Sequence, residues 1–209
     1  FYIYRNRLKK IEGIALIGHA TIVEARTDYA VAAFAQLAAH SQHAYLIRGE
    51  RHTVETFWQH YSEAGQQARL VCRELLFEKT ERIPPFEPVA ELRLATRQET
   101  EHVVEINALL ASEEGGDNPL QRDPAGFRAR MERRIDQQRI WIWMRDGKAI
   151  FKADIVGNTP EMIYLEGIHV HADERKKGYG KRCLLQLSSI LARPGRSVCL
   201  TINERRANA

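Results

Sequence analysis

Residues 162–187 read MIYLEGIHVHADERKKGYGKRCLLQL, and the pattern changes period partway along. Ile163, Tyr164, Leu165, Ile168 and Val170 predict a strand, whereas Leu184, Leu185 and Leu187 predict a helix. The junction is Arg175-Lys176-Lys177-Gly178-Tyr179-Gly180. Two glycines at that spacing let the backbone approach a ligand closely and expose consecutive N–H groups. The helix that follows aims the positive end of its dipole at the same place. Arg175, Lys176, Lys177, Lys181 and Arg182 crowd cationic side chains around it. That local chemistry suits a phosphate.

The strand, the turn Arg-x-x-Gly-x-Gly (Arg175, Gly178, Gly180) and the helix resemble motif A of the GNAT superfamily of acyl-CoA-dependent N-acetyltransferases. A further strand expected at 197–202 strengthens the likeness. The resemblance implies that the turn 175–181 (Arg175, Lys176, Lys177, Gly178, Tyr179, Gly180, Lys181) binds the coenzyme A pyrophosphate. It also implies that Ile168, His169 and Val170 lie along the pantetheine arm, and that Asn203 contributes a coenzyme contact. In the family the fifth strand leads into a helix with Asn-x-x-Ala-x-x-Leu-Tyr, whose Tyr often protonates the leaving thiolate. Here Arg206 stands in the Asn place and Ala209 in the Ala place, and the sequence stops before the Tyr. The sequence starts at Phe1 rather than Met, so a fragment is expected.

The 209 residues suit one large domain or two small ones. A net charge of +4 with both signs interspersed does not indicate a nucleic-acid surface. No apolar run approaches the ~20 residues that cross a bilayer, and no cleavable signal is seen. Cys72, Cys183 and Cys199 are odd in number and form no C-x-x-C. A disulfide framework or zinc knuckle is therefore not expected, and a reducing cytoplasm fits. Cys183 follows the glycine turn, but a thiol buried in a helix is the simpler reading.

Residues 12–25 (EGIALIGHATIVEA) predict a strand, with Gly13 and Gly18 as bulge or close-approach points. Thr27 or Asp28 caps an Ala-rich helix to about Ala39. A short strand at 44–48, a helix at 53–63 and a strand at 69–77 follow. That order matches the second half of a GNAT fold without its glycine turn. Glu24-Ala25-Arg26-Thr27-Asp28-Tyr29 occupies the place, and a phosphate there meets bulk and like charge. Residues 1–83 are thus read as a degenerate GNAT-like repeat, 84–88 as a proline-rich linker, and 89–209 as a GNAT domain incomplete at its end.

Within 89–209 a strand at 89–95 precedes a capping box, Thr96-x-x-Glu99, and a helix carrying Val103, Ile106 and Leu110. A Gly/Pro-punctuated loop spans 112–122. Asp123-Pro124 opens a helix with Phe127, Met131 and Ile135. Strands at 140–144 and 149–156 flank an Asp146-Gly147 hairpin turn. The expected fold is a mixed α/β, GNAT-like sheet with splayed fourth and fifth strands, preceded by the partial repeat in tandem.

An amine of pKa near ~10.4 costs about 4–5 kcal/mol to deprotonate at pH 7, so acyl transfer needs a general base. Glu166, mid-strand among apolar residues, is the candidate, because desolvation strengthens a carboxylate as proton acceptor. Tyr164 shares its face at period two and is a lesser candidate for the acid. In the family a backbone N–H of the fourth strand, often at a bulge, stabilises the oxyanion. Gly167 to Val170 supply that strand here. His169-Val170-His171-Ala172-Asp173 resembles the metal-binding opening of metallo-β-lactamase-type hydrolases, but no His follows His171, and no metal is expected. Glu113, Glu114 and Asp117 make an acidic loop suited to a cationic acceptor or simply to solvent. Arg128, Arg130, Arg133 and Arg134 alternate with Glu132 and Asp136 as a salt-bridged outer face. Trp141 and Trp143 are expected in a core or interface.

The expected activity is transfer of acetyl from acetyl-CoA to an unidentified primary amine, with homodimerisation open and neither membrane nor nucleic acid as partner. A non-catalytic acyl-CoA-binding module is the alternative, and a phosphate-dependent RNA-binding role comes third.

Overall fold

The computed structural model describes residues 1–41, 44, 46–79 and 83–204. The chain divides into two compact units, Phe1–Val71 and Cys72–Ala209.

Among its described residues the first unit has four strands, β1 (Tyr2–Arg5), β2 (Ile11–Leu16), β3 (Ala20–Ala25) and β4 (Leu46–Ile47), in the spatial order β1-β2-β3-β4. The first two pairings are antiparallel and β3–β4 is parallel. Helices α1 (Asp28–Ala39) and α2 (Arg51–Ser62) supply Ala30, Val31, Phe34, Ala35, Ala38, Phe57 and Tyr61 to a core with Ala15 and Val23 of the sheet. Alternation does the rest: Ile14, Leu16 and Ile22, on the other face, are exposed. Gly13 is needed because a Cβ there would lie 2.8 Å from the Phe34 ring. The single strand expected over 12–25 is in fact a hairpin, broken at residues 17–19 around Gly18, and β1 pairs with its first arm. A run of that length exceeds an ordinary strand, and the glycine marks the turn. The short strand expected at 44–48 contracts to β4, and Tyr45 lies outside the described residues.

The second unit holds β5 (Glu74–Lys79), β6 (Leu92–Leu94), α3 (Thr100–Gly115), α4 (Pro119–Arg122), α5 (Pro124–Asp136), β7 (Ile140–Arg145), β8 (Lys148–Asn158), β9 (Met162–Val170), α6 (Tyr179–Leu191) and β10 (Ser197–Asn203). Its six strands run β5-β10-β9-β8-β7-β6, with β9–β10 parallel and the other pairings antiparallel. Residues 152 and 154 of β8 face α3 and α5, while Phe151, Ala153 and Ile155 face α6, as period two requires. Val103, Ile106, Phe127, Met131 and Ile135 close the first face over Ile140 and Ile142. Cys183 and Leu187 close the second, where Trp141 and Trp143 also pack.

The expected caps are present. Thr96 and Glu99 form the capping box, and Arg93 Nη2 donates to Glu99 Oε1 at 2.8 Å. Buried Glu99 is thereby held down at about 2, first by the Arg93 hydrogen bond and then by those from Thr96. Asp123 Oδ1 accepts from Gly126 N at 2.8 Å ahead of Pro124. Asp146 (φ 49°) and Gly147 (φ 72°) make the two-residue hairpin turn. On α5, Arg128 pairs with Glu101 and Glu132, and Arg130 with Asp123, as a charged outer face. Arg134 instead reaches inward to Asp154.

Two organisational expectations change. The strand read as the last of the first half, β5, pairs antiparallel with β10 from Val198↔Lys79 to Asn203↔Glu74, so it belongs to the second unit's sheet. Pairing across that sequence distance leaves no local signal. The proline-rich segment is also docked rather than loose. Gln186 of α6 accepts from Val89 N and donates to Val89 O, and Arg182 Nε donates to Glu87 O. The strand expected over 89–95 is accordingly only β6. Arg206 and Ala209 lie outside the described residues, as does the helix they were expected to enter.

Candidate functional site

The corner between β9 and α6 is built from backbone. After Val170 the chain makes a short helical turn (Ala172–Glu174), then Lys176 takes φ 63° and Gly178 φ 81°. Gly178 is the N-cap of α6 in the left-handed conformation, and no side chain among the described residues caps the helix. The first intrahelical hydrogen bond runs from Arg182 N to Gly178 O. The N–H groups of Tyr179, Gly180 and Lys181 therefore have no acceptor inside the helix. Among the described residues a Cβ on Gly178 would meet nothing within 4 Å. Gly180 serves packing: a Cβ there would lie 3.2 Å from Val170 Cγ2.

The charges around this nest differ in what they do. Arg175 folds back, its Nε donating to Val170 O at 3.1 Å. Lys177 Nζ donates to Glu174 Oε2 at 3.0 Å, and Arg145 Nη2 sits 2.8 Å from Glu174 Oε1. Those partners, Lys177 first, hold Glu174 below the usual carboxylate range. Lys176 and Lys181 are exposed. Arg182 is turned to Glu87 and Pro88. The Arg145 guanidinium lies 5.5 Å from the Trp143 ring and 5.7 Å from the Tyr179 ring, and these rings meet edge-to-face at 5.0 Å. Arg145 and Glu174 were not among the sequence candidates. Arg145 comes from the β7–β8 hairpin, and nothing in the local sequence ties it to the turn.

Beside the nest the sheet opens. Parallel pairing of β9 and β10 runs from Met162↔Ser197 to Leu165↔Leu200 and stops, although β9 continues to Val170 and β10 to Asn203. The expected splay is thus present. On its other side β9 is bulged. Lys152 pairs with His169 and Asp154 with Glu166, so Ala153 faces two residues, Gly167 and Ile168. Gly167 takes φ 59°, the left-handed conformation that a bulge of this kind requires. The bulge resets the alternation. Ile163 and Leu165 before it, and Ile168 and Val170 after it, all face α6.

Glu166 is half-buried at the first position past the end of the β9–β10 ladder, opposite Asp154. The Tyr164 hydroxyl shares a hydrogen bond with Thr201 Oγ1 of β10 at 2.7 Å. His169 is buried beside Lys152, and burial, then Arg175 and Lys152, push its imidazole down to about 4, so it is neutral at pH 7. His171 Nδ1 accepts from Asp173 N at the start of the turn. Asn203 ends β10, in register with Glu74 of β5. Burial lifts the Cys183 thiol to about 12, which disarms it as a nucleophile. Glu113 and Glu114 are exposed at the end of α3, and Asp117 lies 3.7 Å from Arg122. Among the described residues no cluster of three His, Cys, Asp or Glu side chains is placed to hold a metal, and no helix is long and apolar enough to cross a membrane. An open groove of about 390 Å³, lined by Asn158, Thr159, Pro160, Arg193, Pro194 and Arg196, lies at the opposite end of β9 from the nest.

Comparison with known proteins places this arrangement. A profile of the acetyltransferase (GNAT) family matches residues 87–208. No curated protein matches the sequence. Among solved structures, a GNAT-family acetyltransferase from Colwellia psychrerythraea is similar at TM-score 0.60 and 13% identity, over 99% of this chain and 75% of that one. A GCN5-related N-acetyltransferase from Sphaerobacter thermophilus is similar at TM-score 0.50 and 11% identity, over 99% of this chain and 73% of that one. At such identities the structural likeness speaks for the fold.

Proposed function

The chain belongs to the acetyltransferase (GNAT) family, and we propose that it transfers an acetyl group from acetyl-CoA to a primary amine by direct attack. The observation that carries this reading is the uncapped N-terminus of α6 beside a sheet that has parted at Leu165. The N–H groups of Tyr179, Gly180 and Lys181, with the helix dipole behind them, suit the coenzyme's pyrophosphate. The edge of β9 from Glu166 to Val170, no longer laddered to β10, suits the pantetheine arm and thioester.

In this reading the neutral amine attacks the thioester carbon and forms the new C–N bond. Glu166 takes the amine's proton, directly or through one water. The Ile168 N–H at the bulge donates to the oxyanion of the tetrahedral intermediate. Collapse breaks the C–S bond, and coenzyme A leaves as thiolate. Tyr164 is the candidate acid for that thiolate, its hydroxyl steadied by Thr201. Three free cysteines, two of them buried, suit a reducing cytoplasm.

We also infer that the first unit is a degenerate repeat of the second. Its strand order and senses, antiparallel, antiparallel, parallel across β1-β2-β3-β4, repeat those of β7-β8-β9-β10. Calorimetric titration of the full chain with acetyl-CoA, then release of free thiol across a panel of amines, tests the proposal. Saturable binding and amine-dependent thiol release are expected. A folded chain giving no heat overturns it.

A further inference from the structure

Lys152 has no solvent exposure, and its ammonium donates to three different elements. The acceptors are Asn107 Oδ1 on α3 at 3.1 Å, Asp154 Oδ2 on β8 at 2.8 Å, and the Gly167 carbonyl on β9 at 3.3 Å. Burial pulls its pKa down and Asp154 opposes that shift, and three acceptors at these distances call for three protons, which only the ammonium carries. A buried ion pair commonly costs as much in desolvation as it returns, and apolar residues of similar volume often serve stability as well. This pair is not even fully matched. Asp154 Oδ1 is buried without a hydrogen-bond partner among the described residues, and Arg134 reaches the carboxylate only at 3.5 Å. Stability is a poor reason for placing a lysine here, so the reason lies in what the ammonium holds.

What it holds is the bulge. A Cβ on Gly167 would come within 2.9 Å of Lys152 Nζ and 3.0 Å of Asp154 Oδ2, so the missing side chain leaves the pair its room. The Gly167–Ile168 peptide is trans, and in a planar trans peptide the C=O and N–H point in opposite directions. A hydrogen bond that fixes the Gly167 carbonyl toward Lys152 therefore fixes the Ile168 N–H away from it. A cation on the carbonyl also polarises the peptide and strengthens the donor at its other end. Gly167 and Ile168 lie in the part of β9 that has left β10.

We propose that Lys152 is a positioning residue for acyl transfer: it locks and polarises the bulge peptide so that the Ile168 N–H is presented to the thioester oxygen. The inference rests on the acetyl-CoA reading above. The test uses acetyl-CoA with an isotope-labelled thioester carbonyl, bound to the full chain and followed by difference infrared spectroscopy. In the unmodified protein the carbonyl stretch falls below its value in free acetyl-CoA. Lys152→Met, and Lys152→Met/Asp154→Leu, which removes the pair together and keeps the core apolar, bind acetyl-CoA within ~3-fold of normal and lose the downshift. Their kcat on any amine the parent acetylates falls ~10–100-fold with KM unchanged, a weakened rather than deleted donor. If the single variant does not fold, the double variant carries the test. A folded variant with full downshift and parental kcat overturns the inference, as does a parent that binds acetyl-CoA without any downshift. A parent that does not bind acetyl-CoA at all overturns the proposed function first, and this inference with it.

Discussion

The chain turns from strand to helix at two topologically equivalent corners, β3 to α1 and β9 to α6, each followed by a parallel strand. At the first, β3 ends at Ala25 and α1 starts at Asp28, with almost no chain between. The Thr27 side chain accepts from Ala30 N, and Asp28 puts a negative charge in the first turn. At the second, residues 171–178 intervene, Gly178 caps in the left-handed conformation, and no side chain among the described residues caps the helix. The same topology therefore yields one helix end that its own side chain closes and one left open to an outside acceptor. The fold supplies the corner; the cap decides whether the helix's first N–H groups are already satisfied.

Closing the second corner is the sharpest way to break the contrast. Gly178→Glu forces a side chain into the left-handed position and adds a negative charge, and acetyl-CoA affinity is expected to fall ~100-fold or more, about 2.8 kcal/mol by calorimetry. Opening the first corner with Thr27→Gly/Asp28→Gly should leave that affinity unchanged. Glu166→Gln separates binding from chemistry. Calorimetric Kd should hold while kcat at neutral pH drops ~100-fold or more.

A third helix entry sharpens the comparison on the stability side. Glu99 closes its own corner while buried, so Glu99→Ala should cost about 2–3 kcal/mol in urea denaturation at pH 7. Glu99 sits at about 2 in the folded chain against an ordinary 4.5. Its contribution is thus complete above pH 4.5 and drains away as pH falls toward 2. The gap between parent and variant should shrink through that window. Thr27→Ala is the mildest case, about 1 kcal/mol from the first unit's stability with no effect on acetyl-CoA.

The open corner was legible because each of its parts carries a local signal. Alternation marks β9, leucine spacing marks α6, and the two glycines can be explained only by backbone geometry or close approach. The caps at Thr27, Thr96 and Asp123 were legible for the same reason. What escaped depends on residues meeting from far apart. The pairing of β5 with β10, the docking of residues 87–89 on α6, and the reach of Arg145 to Glu174 have no short-range signature. Lys152 and Asp154 did leave one. They alternate inside the apolar run AIFKADIV, where a strand buried on both faces should carry no charge without a partner. The β2–β3 hairpin has only Gly18 to mark its turn, between apolar stretches that otherwise read as one strand.

The most direct measurement is amide chemical-shift mapping of the isotope-labelled full chain during titration with acetyl-CoA, since it interrogates both corners at once. The account predicts the largest changes at residues 177–181 and along 166–170, with residues 27–31 at the first corner unmoved. Changes centred instead on residues 27–31, or on the Asn158 to Arg196 groove, with 177–181 silent, would contradict it.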